Sequence, residues 1–284
     1  MQVLCLYKRG ELLMNQRKSL KELNLLDKFL FDEAMDDPEN VKTMLDIILS
    51  QNTNLKHPPQ TEKEQRTSTD NRQIRLDVYA IDEDDVIYEV EAQKENTHNL
   101  PKRSRLYQGI IDSKLLPPGV VDFNLLNEIL IVMITPFDLF GYGLYRYTFQ
   151  MRCEEVPELK LDDGATRIFL NTRGKHPELV SPELIELLRY MEHSTDEVLG
   201  ACKSKRIHEM HRRICQIKAS EKTEVKYMQS WEEKILIKQE GKLEGKQELM
   251  RKLSNKFSIE QISEILEIDI LEVENILKKS QNEP

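Results

Sequence analysis

Two short stretches place acidic side chains where they could hold a hard divalent cation. Arg75-Leu-Asp-Val-Tyr-Ala predicts a strand with Asp77 near its middle, and Tyr88-Glu-Val-Glu-Ala-Gln-Lys predicts the next strand. Side chains alternate along a strand, so Glu89, Glu91 and Gln93 share one face, while Val86, Tyr88, Val90 and Ala92 take the other. Mg²⁺ prefers oxygen ligands and keeps several waters, so two carboxylates and a carbonyl suffice to bind it. Asp77 and Glu91 can supply the carboxylates, and the backbone of Ala92 the carbonyl. The chemistry served would be phosphodiester hydrolysis, in which a metal polarises the phosphate and activates a water. Taken alone, the pattern also fits a strand with one charged face turned to water, the commoner use of such spacing. Lys94 falls on the face opposite Gln93 and cannot simply replace it.

The positioning elements can be read from periodicity. Leu23, Leu26, Phe29 and Leu30, then Val41, Met44, Leu45, Ile48 and Leu49, recur at helical spacing. Between them Asp36-Asp37-Pro38-Glu39 stops one helix and starts another, with Pro38 in a first turn. Residues 51–73 are polar and include Pro58-Pro59, predicting a long loop with at most one poor edge strand. Strands follow over 74–81 and 86–93, joined as a hairpin across Asp82-Glu83-Asp84-Asp85. A helix is predicted over 101–115, stopped by Pro117-Pro118-Gly119. Glu128 to Thr135 is almost continuously apolar, which marks a strand buried on both faces. Strands over 144–153 and 165–171 complete a sheet flanked by helices. Beyond about 178 only helices are predicted: 182–191, 195–220, a long charged helix over 222–252, and a short terminal helical hairpin. Ser258 and Gln261 have capping-box spacing there.

The 284 residues suffice for one sizeable core with an appendage, or for two domains. A net charge of -9 argues against a surface that grips nucleic acid everywhere, yet leaves room for a local basic groove. No stretch approaches the roughly 20 apolar residues of a membrane span. Met1 to Tyr7 lacks the apolar length and preceding charge of a signal peptide, so a cytoplasmic protein without membrane partners is expected. Cys5, Cys153, Cys202 and Cys215 form no C-x-x-C pair and would stay reduced there. Cys202, His208, His211 and Cys215 invite a zinc reading. The last three share one helix face, but structural zinc sites draw ligand pairs from two elements, so packing is the expectation. Lys102, Arg103 and Arg105 open a helix just after the candidate site and suit DNA phosphate contacts. Tyr107, one turn beyond Arg103, could stack on a base or touch phosphate. An ordinary solvated helix face is the alternative for this group. A second basic stretch, Lys203 to Lys222, could wall a DNA groove, although helix-surface charge fits it better. Trp231 and the pair Phe137 and Phe140 read as core or interface residues.

Several segments, taken in order, resemble the recombination-promoting nuclease and transposase family of the PD-(D/E)XK nuclease superfamily. They are Leu26-Asp-Lys-Phe-Leu-Phe, Arg75-Leu-Asp-Val-Tyr-Ala, Tyr88-Glu-Val-Glu-Ala-Gln and Pro101-Lys-Arg-Ser-Arg-Leu-Tyr-Gln. Ile134-Thr-Pro-Phe-Asp-Leu-Phe-Gly, Leu161-Asp-Asp-Gly, Ile168-Phe-Leu-Asn and the Glu-Gly-Lys-rich tail follow. The likeness spans roughly residues 20–280. It implies an α/β fold with a restriction-endonuclease-like central mixed sheet flanked by helices, carrying an α-helical C-terminal extension. It also implies a metal-dependent DNA endonuclease linked to recombination or mobile elements, with Asp77, Glu91 and Gln93 as the metal and catalytic set and Mg²⁺ or Mn²⁺ as cofactor. Many such nucleases carry lysine where Gln93 stands; glutamine can hydrogen-bond a water but brings no charge, and relatives of this type share the change. An acid of the first helix often completes such sites. Asp27 matches the family segment, with Asp32 and Glu33 as alternatives; a helix-surface charge or cap is the competing reading of Asp27.

The domains expected are an N-terminal extension (1–19), a nuclease-like core (20–178), a helical extension (179–253) and a small helical hairpin (254–284). Two other functions compete with the nuclease. One is a catalytically silent DNA-binding or protein-interaction member that keeps the nuclease fold. The other is homo-oligomerisation through the C-terminal helices.

Overall fold

The computed structural model describes residues 18–65 and 74–280. Most of the expected N-terminal extension, Met1 to Tyr7, Cys5 and the end of the polar loop lie outside the described residues. The chain divides into two compact units, Met1–Ser220 and Glu221–Pro284. The helices between 182 and 219 therefore belong with the sheet, and the boundary read at 178/179 lies inside the first unit.

The first unit is α/β, a six-stranded mixed sheet flanked by helices. It opens with α1 (Lys28–Met35) and α2 (Pro38–Leu49). Asp37 caps α2 by accepting from the Glu39 N–H, with Pro38 in the first turn, where its missing donor costs nothing. Strands β1 (Gln60–Gln65), β2 (Ile74–Ile81) and β3 (Ile87–Ala92) follow. A crossover through α3 (Leu100–Asp112) then leads to β4 (Ile129–Thr135), β5 (Arg146–Phe149) and β6 (Ala165–Asn171). The strand order is β1-β2-β3-β4-β6-β5. β3, β4 and β6 run parallel, while β1, β2 and β5 pair antiparallel to their neighbours.

The hairpin places the acids. Val78 pairs with Val90 and Tyr79 with Glu89. Continued by one residue, this register sets Asp77 opposite Glu91. In the turn, the Asp82 carboxylate accepts from the N–H groups of Asp84 and Val86 and from the Tyr88 hydroxyl. β3 lies between two strands and is buried along its whole length, which overturns the alternative of a charged face turned to water. Tyr79, Ile87, Ile131, Met133 and Phe169 form one core with Leu100, Tyr107, Ile110 and Ile111 of α3. Phe140 packs against Tyr147, Phe149 and Phe169 at its edge, and Trp231 is half-buried.

Two elements differ from expectation. β5 is only Arg146–Phe149, because the segment beyond it pairs with itself: Cys153 N donates to Leu159 O and Leu161 N to Met151 O. The helix expected over 195–220 is two, α5 (Asp196–Gly200) and α6 (Lys205–Ala219), after α4 (Pro182–Glu192). Thr195 and Ser204 each cap a helix start, and Glu186 accepts from the N–H groups of Lys203 and Ser204 between them.

The second unit is helical: α7 (Glu221–Ser254), α8 (Ile259–Leu266) and α9 (Ile270–Ser280). Ser258 and Gln261 close the expected capping box. Met250, Ile262, Val273 and Ile276 form its core. Among the described residues, no helix is long and apolar enough to cross a membrane.

Candidate functional site

At one end of the β2–β3 hairpin an open cleft of about 400 Å³ is lined by Asp27, Lys28, Arg75, Asp77, Glu91, Ala92, Gln93, Lys94 and Arg103, among others. Three separate elements supply it. The start of α1 brings Asp27 and Lys28, the hairpin brings the carboxylates, and the first turn of α3 brings Arg103.

Asp77 and Glu91 are both nearly buried, and each meets a cation. Lys28 Nζ lies 2.6 Å from Asp77 Oδ1 and 3.1 Å from Asp32 Oδ2. Arg103 Nη2 donates to Glu91 and, at 2.8 Å, to Gln93 Oε1. Gln93 Nε2 donates to the Glu95 carbonyl at 2.7 Å, which fixes its amide. Lys94 pairs with Asp27, whose other oxygen accepts from the Asn24 N–H at 3.0 Å. Ala92 lines the cleft.

Burial governs the protonation of this cluster. It raises the pKa of Asp77 even against the opposing pull of Lys28. Glu91 is pushed up to about 7 by burial and by the Asp77 charge, with Arg103 working the other way. Asp32 is also raised to about 7, again by burial before the opposing Lys28. Glu89, one alternation below Glu91, is fully buried and neither of its carboxyl oxygens has a hydrogen-bond partner. Burial, then the charges of Glu91 and Asp77, raise it well above the ordinary carboxylate range. One oxygen of Glu91, Oε2, also has no partner.

Of the residues singled out from sequence, Asp27, Asp77, Glu91, Ala92, Gln93 and Arg103 meet in this cleft. Lys102 is exposed and does not line it, and Arg105 lines a separate groove with Gln108 and Arg167. Tyr107 is buried in the core below α3, 5.8 Å from the Arg103 guanidinium, so its ring is taken up by packing and not offered to a base. Glu33 does not line the cleft, and Asp32 joins it only through Lys28. The placement of Lys94 is a correction. β3 ends at Ala92, alternation lapses there, and Lys94 turns into the cleft. Lys28 was missed, although it stands beside Asp27 where the first helix begins. The second basic stretch forms ties within its own unit. Arg206 pairs with Glu183, Arg213 Nε donates to Asn40 Oδ1 at 2.7 Å, and Lys218 reaches the Lys21 and Ser194 carbonyls.

The buried carboxylates Asp77 and Glu91, the fixed Gln93 amide and the four cations Lys28, Arg75, Lys94 and Arg103 around one opening can bind a divalent ion and a phosphate together. No protein-family model matches the chain, and no curated protein or solved structure matches it significantly.

Proposed function

We propose that this chain is a Mg²⁺-dependent endonuclease that hydrolyses DNA phosphodiester bonds on a restriction-endonuclease-like core. The sequence resemblance adds a role in recombination or mobile elements. The observation that carries the proposal is the meeting of Asp77 and Glu91 with Gln93, Lys28, Lys94 and Arg103 at one open cleft. The donor set suits Mg²⁺ or Mn²⁺: carboxylate and amide oxygens line the cleft, and Glu91 Oε2 is buried without a partner. Asp77 and Glu91 would hold the ion, with the Ala92 carbonyl and Asp27 as further oxygen donors. When bound, the ion supplies phosphate polarisation and a lowered water pKa. Gln93 orients the attacking water, because the second lone pair of its fixed Oε1 stays available as an acceptor. Lys28 and Lys94, both partly open to solvent, are placed to neutralise phosphate oxygens at the mouth.

Supercoiled-plasmid nicking in Mg²⁺ by wild type, Asp77→Ala and Glu91→Gln tests this. Cleavage by the wild type, lost in both variants, is expected; equal cleavage by all three would remove the assignment.

A second reading is a silent DNA-binding or protein-interaction protein. It is favoured by Lys28 and Arg103, which already partner both acids, and by the uncharged Gln93. A silent protein should gain no thermal stability from Mg²⁺ or Mn²⁺, whereas the nuclease should.

A further inference from the structure

Outside this cleft, three helices bring together four side chains of a different chemistry. His211 of α6 has Nδ1 2.9 Å from the Tyr190 hydroxyl of α4. Its Nε2 lies 2.9 Å from Asp196 Oδ1, at the start of α5, and 3.2 Å from Cys215 Sγ, one turn further along α6. The imidazole nitrogen, the sulfur and the carboxylate oxygen all lie within 4.8 Å of one another. We propose that Asp196, His211 and Cys215 are the ligands of a site for a borderline-soft divalent cation of the Zn²⁺ type, with Tyr190 as the residue that positions the imidazole.

Three observations support the site. The first is valence. A single imidazole Nε2 carries either one proton or one lone pair, so it can satisfy Asp196 or Cys215 but not both. A cation satisfies all three donors at once. The second is spacing. Zn–N near 2.0 Å and Zn–S near 2.3 Å at tetrahedral angles require about 3.5 Å between nitrogen and sulfur. The observed 3.2 Å needs only a few tenths of an ångström of spreading. Asp196 and Cys215 are exposed, while His211 is buried. The third is the tautomer. Nε2 must be unprotonated to bind metal, which puts the proton on Nδ1, facing the buried Tyr190 hydroxyl. A hydroxyl accepts as readily as it donates, so Tyr190 supports this form and supplies the outer-shell bond that metal-bound histidines use.

The ligands come from two elements, which the sequence pattern alone lacked. Asp196 is the missing member. His208 and Cys202 do not join: His208 Nε2 meets the Cys202 carbonyl, and the Cys202 thiol donates to Glu186. Three protein ligands leave the fourth tetrahedral position to water. Mg²⁺ disfavours thiolate and imidazole, so this site and the acidic cleft select different ions.

The test is a Co²⁺ titration of the chelator-treated full-length chain, followed by its visible and near-ultraviolet spectrum. A thiolate-to-cobalt charge-transfer band is expected, saturating at about one ion per chain and displaced by Zn²⁺. Cys215→Ala should abolish the band, and Asp196→Asn should weaken Co²⁺ binding. Tyr190→Phe should keep the band while weakening binding on the order of 10- to 100-fold, as loss of an outer-shell partner does. Cys202→Ala should leave the titration unchanged. Both ligand substitutions fall at exposed positions, and melting of the metal-free variants as for wild type verifies their fold. Absence of the band at saturating Co²⁺, its survival in Cys215→Ala, or its loss in Cys202→Ala would overturn the proposal.

Discussion

Glu91 stands between opposing influences. Burial and the Asp77 charge raise its pKa to about 7 from an ordinary 4.5, and Arg103 pulls it down. Between those two values the folded chain binds more protons than the unfolded chain, so stability declines as pH rises across the window. Asp32, raised from 3.8 to about 7, acts with the same sign. Urea unfolding of the metal-free protein should therefore show a lower midpoint at about pH 7.5 than at about pH 5, the unfolding free energy falling by roughly a few kcal/mol. Glu91→Gln should flatten that decline; an unchanged slope would show that Glu91 does not titrate there. If the cleft holds Mg²⁺, the ion competes with these protons, and its stabilising effect should grow with pH over the same range. Arg103 supplies a second prediction. Arg103→Met leaves Glu91 buried without its counter-charge, costing about 3 kcal/mol at high pH. The cost should shrink at about pH 5, where Glu91 is protonated; a pH-independent loss would point to packing alone. At this scale the acids were legible, because Asp77 and Glu91-x-Gln93 follow strand alternation. Their counter-ions were not, since Lys28 and Asp77 are 49 residues apart.

At the scale of elements, α3 serves two purposes. Leu100, Tyr107, Ile110 and Ile111 face the core, and Arg103 in the first turn faces the hairpin acids. Its basic stretch read as one DNA-contacting group, but a helix turns about 100° per residue and so distributes Lys102, Arg103, Arg105 and Tyr107 over different surroundings. The turn after β6 shows a tighter constraint. A Cβ on Gly174 would lie 2.4 Å from Cγ of Tyr145, an atom next to the backbone with little room to swing away. Gly174→Ala should destabilise the first unit by about 1–3 kcal/mol. Tyr145→Ala in the same background should recover part of that loss in chemical unfolding; no recovery would mean the clash lies elsewhere.

At the scale of the molecule, the two units have separate hydrophobic cores. Ile262 is fully buried in the second. Ile262→Ala should lower the stability of that unit by about 2–5 kcal/mol. Calorimetry should show one transition shifted while that of the first unit, with its Mg²⁺ response, stays in place; a common shift would mean the units unfold as one. A net charge of -9 opposes DNA in general, so binding in the proposed reading depends on cations concentrated at the cleft mouth and on a divalent ion in the cleft.

By itself the sequence determined what is local. Periods of 2 and 3.6 marked the strands and most helices, capping residues marked their starts at Asp37 and Ser258, and alternation put Glu89 and Glu91 on one face. The split of the helix expected over 195–220 was missed, although Thr195 and Ser204 cap its two parts. Tertiary structure decided everything that depends on which element lies beside which. It buried β3 between β2 and β4, so that a pattern fitting a wet, charged face became a cluster of carboxyls with raised pKa values. It assigned Lys28 and Arg103 to the acids, withdrew Tyr107 into the core, and brought Asp196 to His211 and Cys215. The physical reason is that burial and pairing across the chain arise from packing, which no short-range spacing encodes.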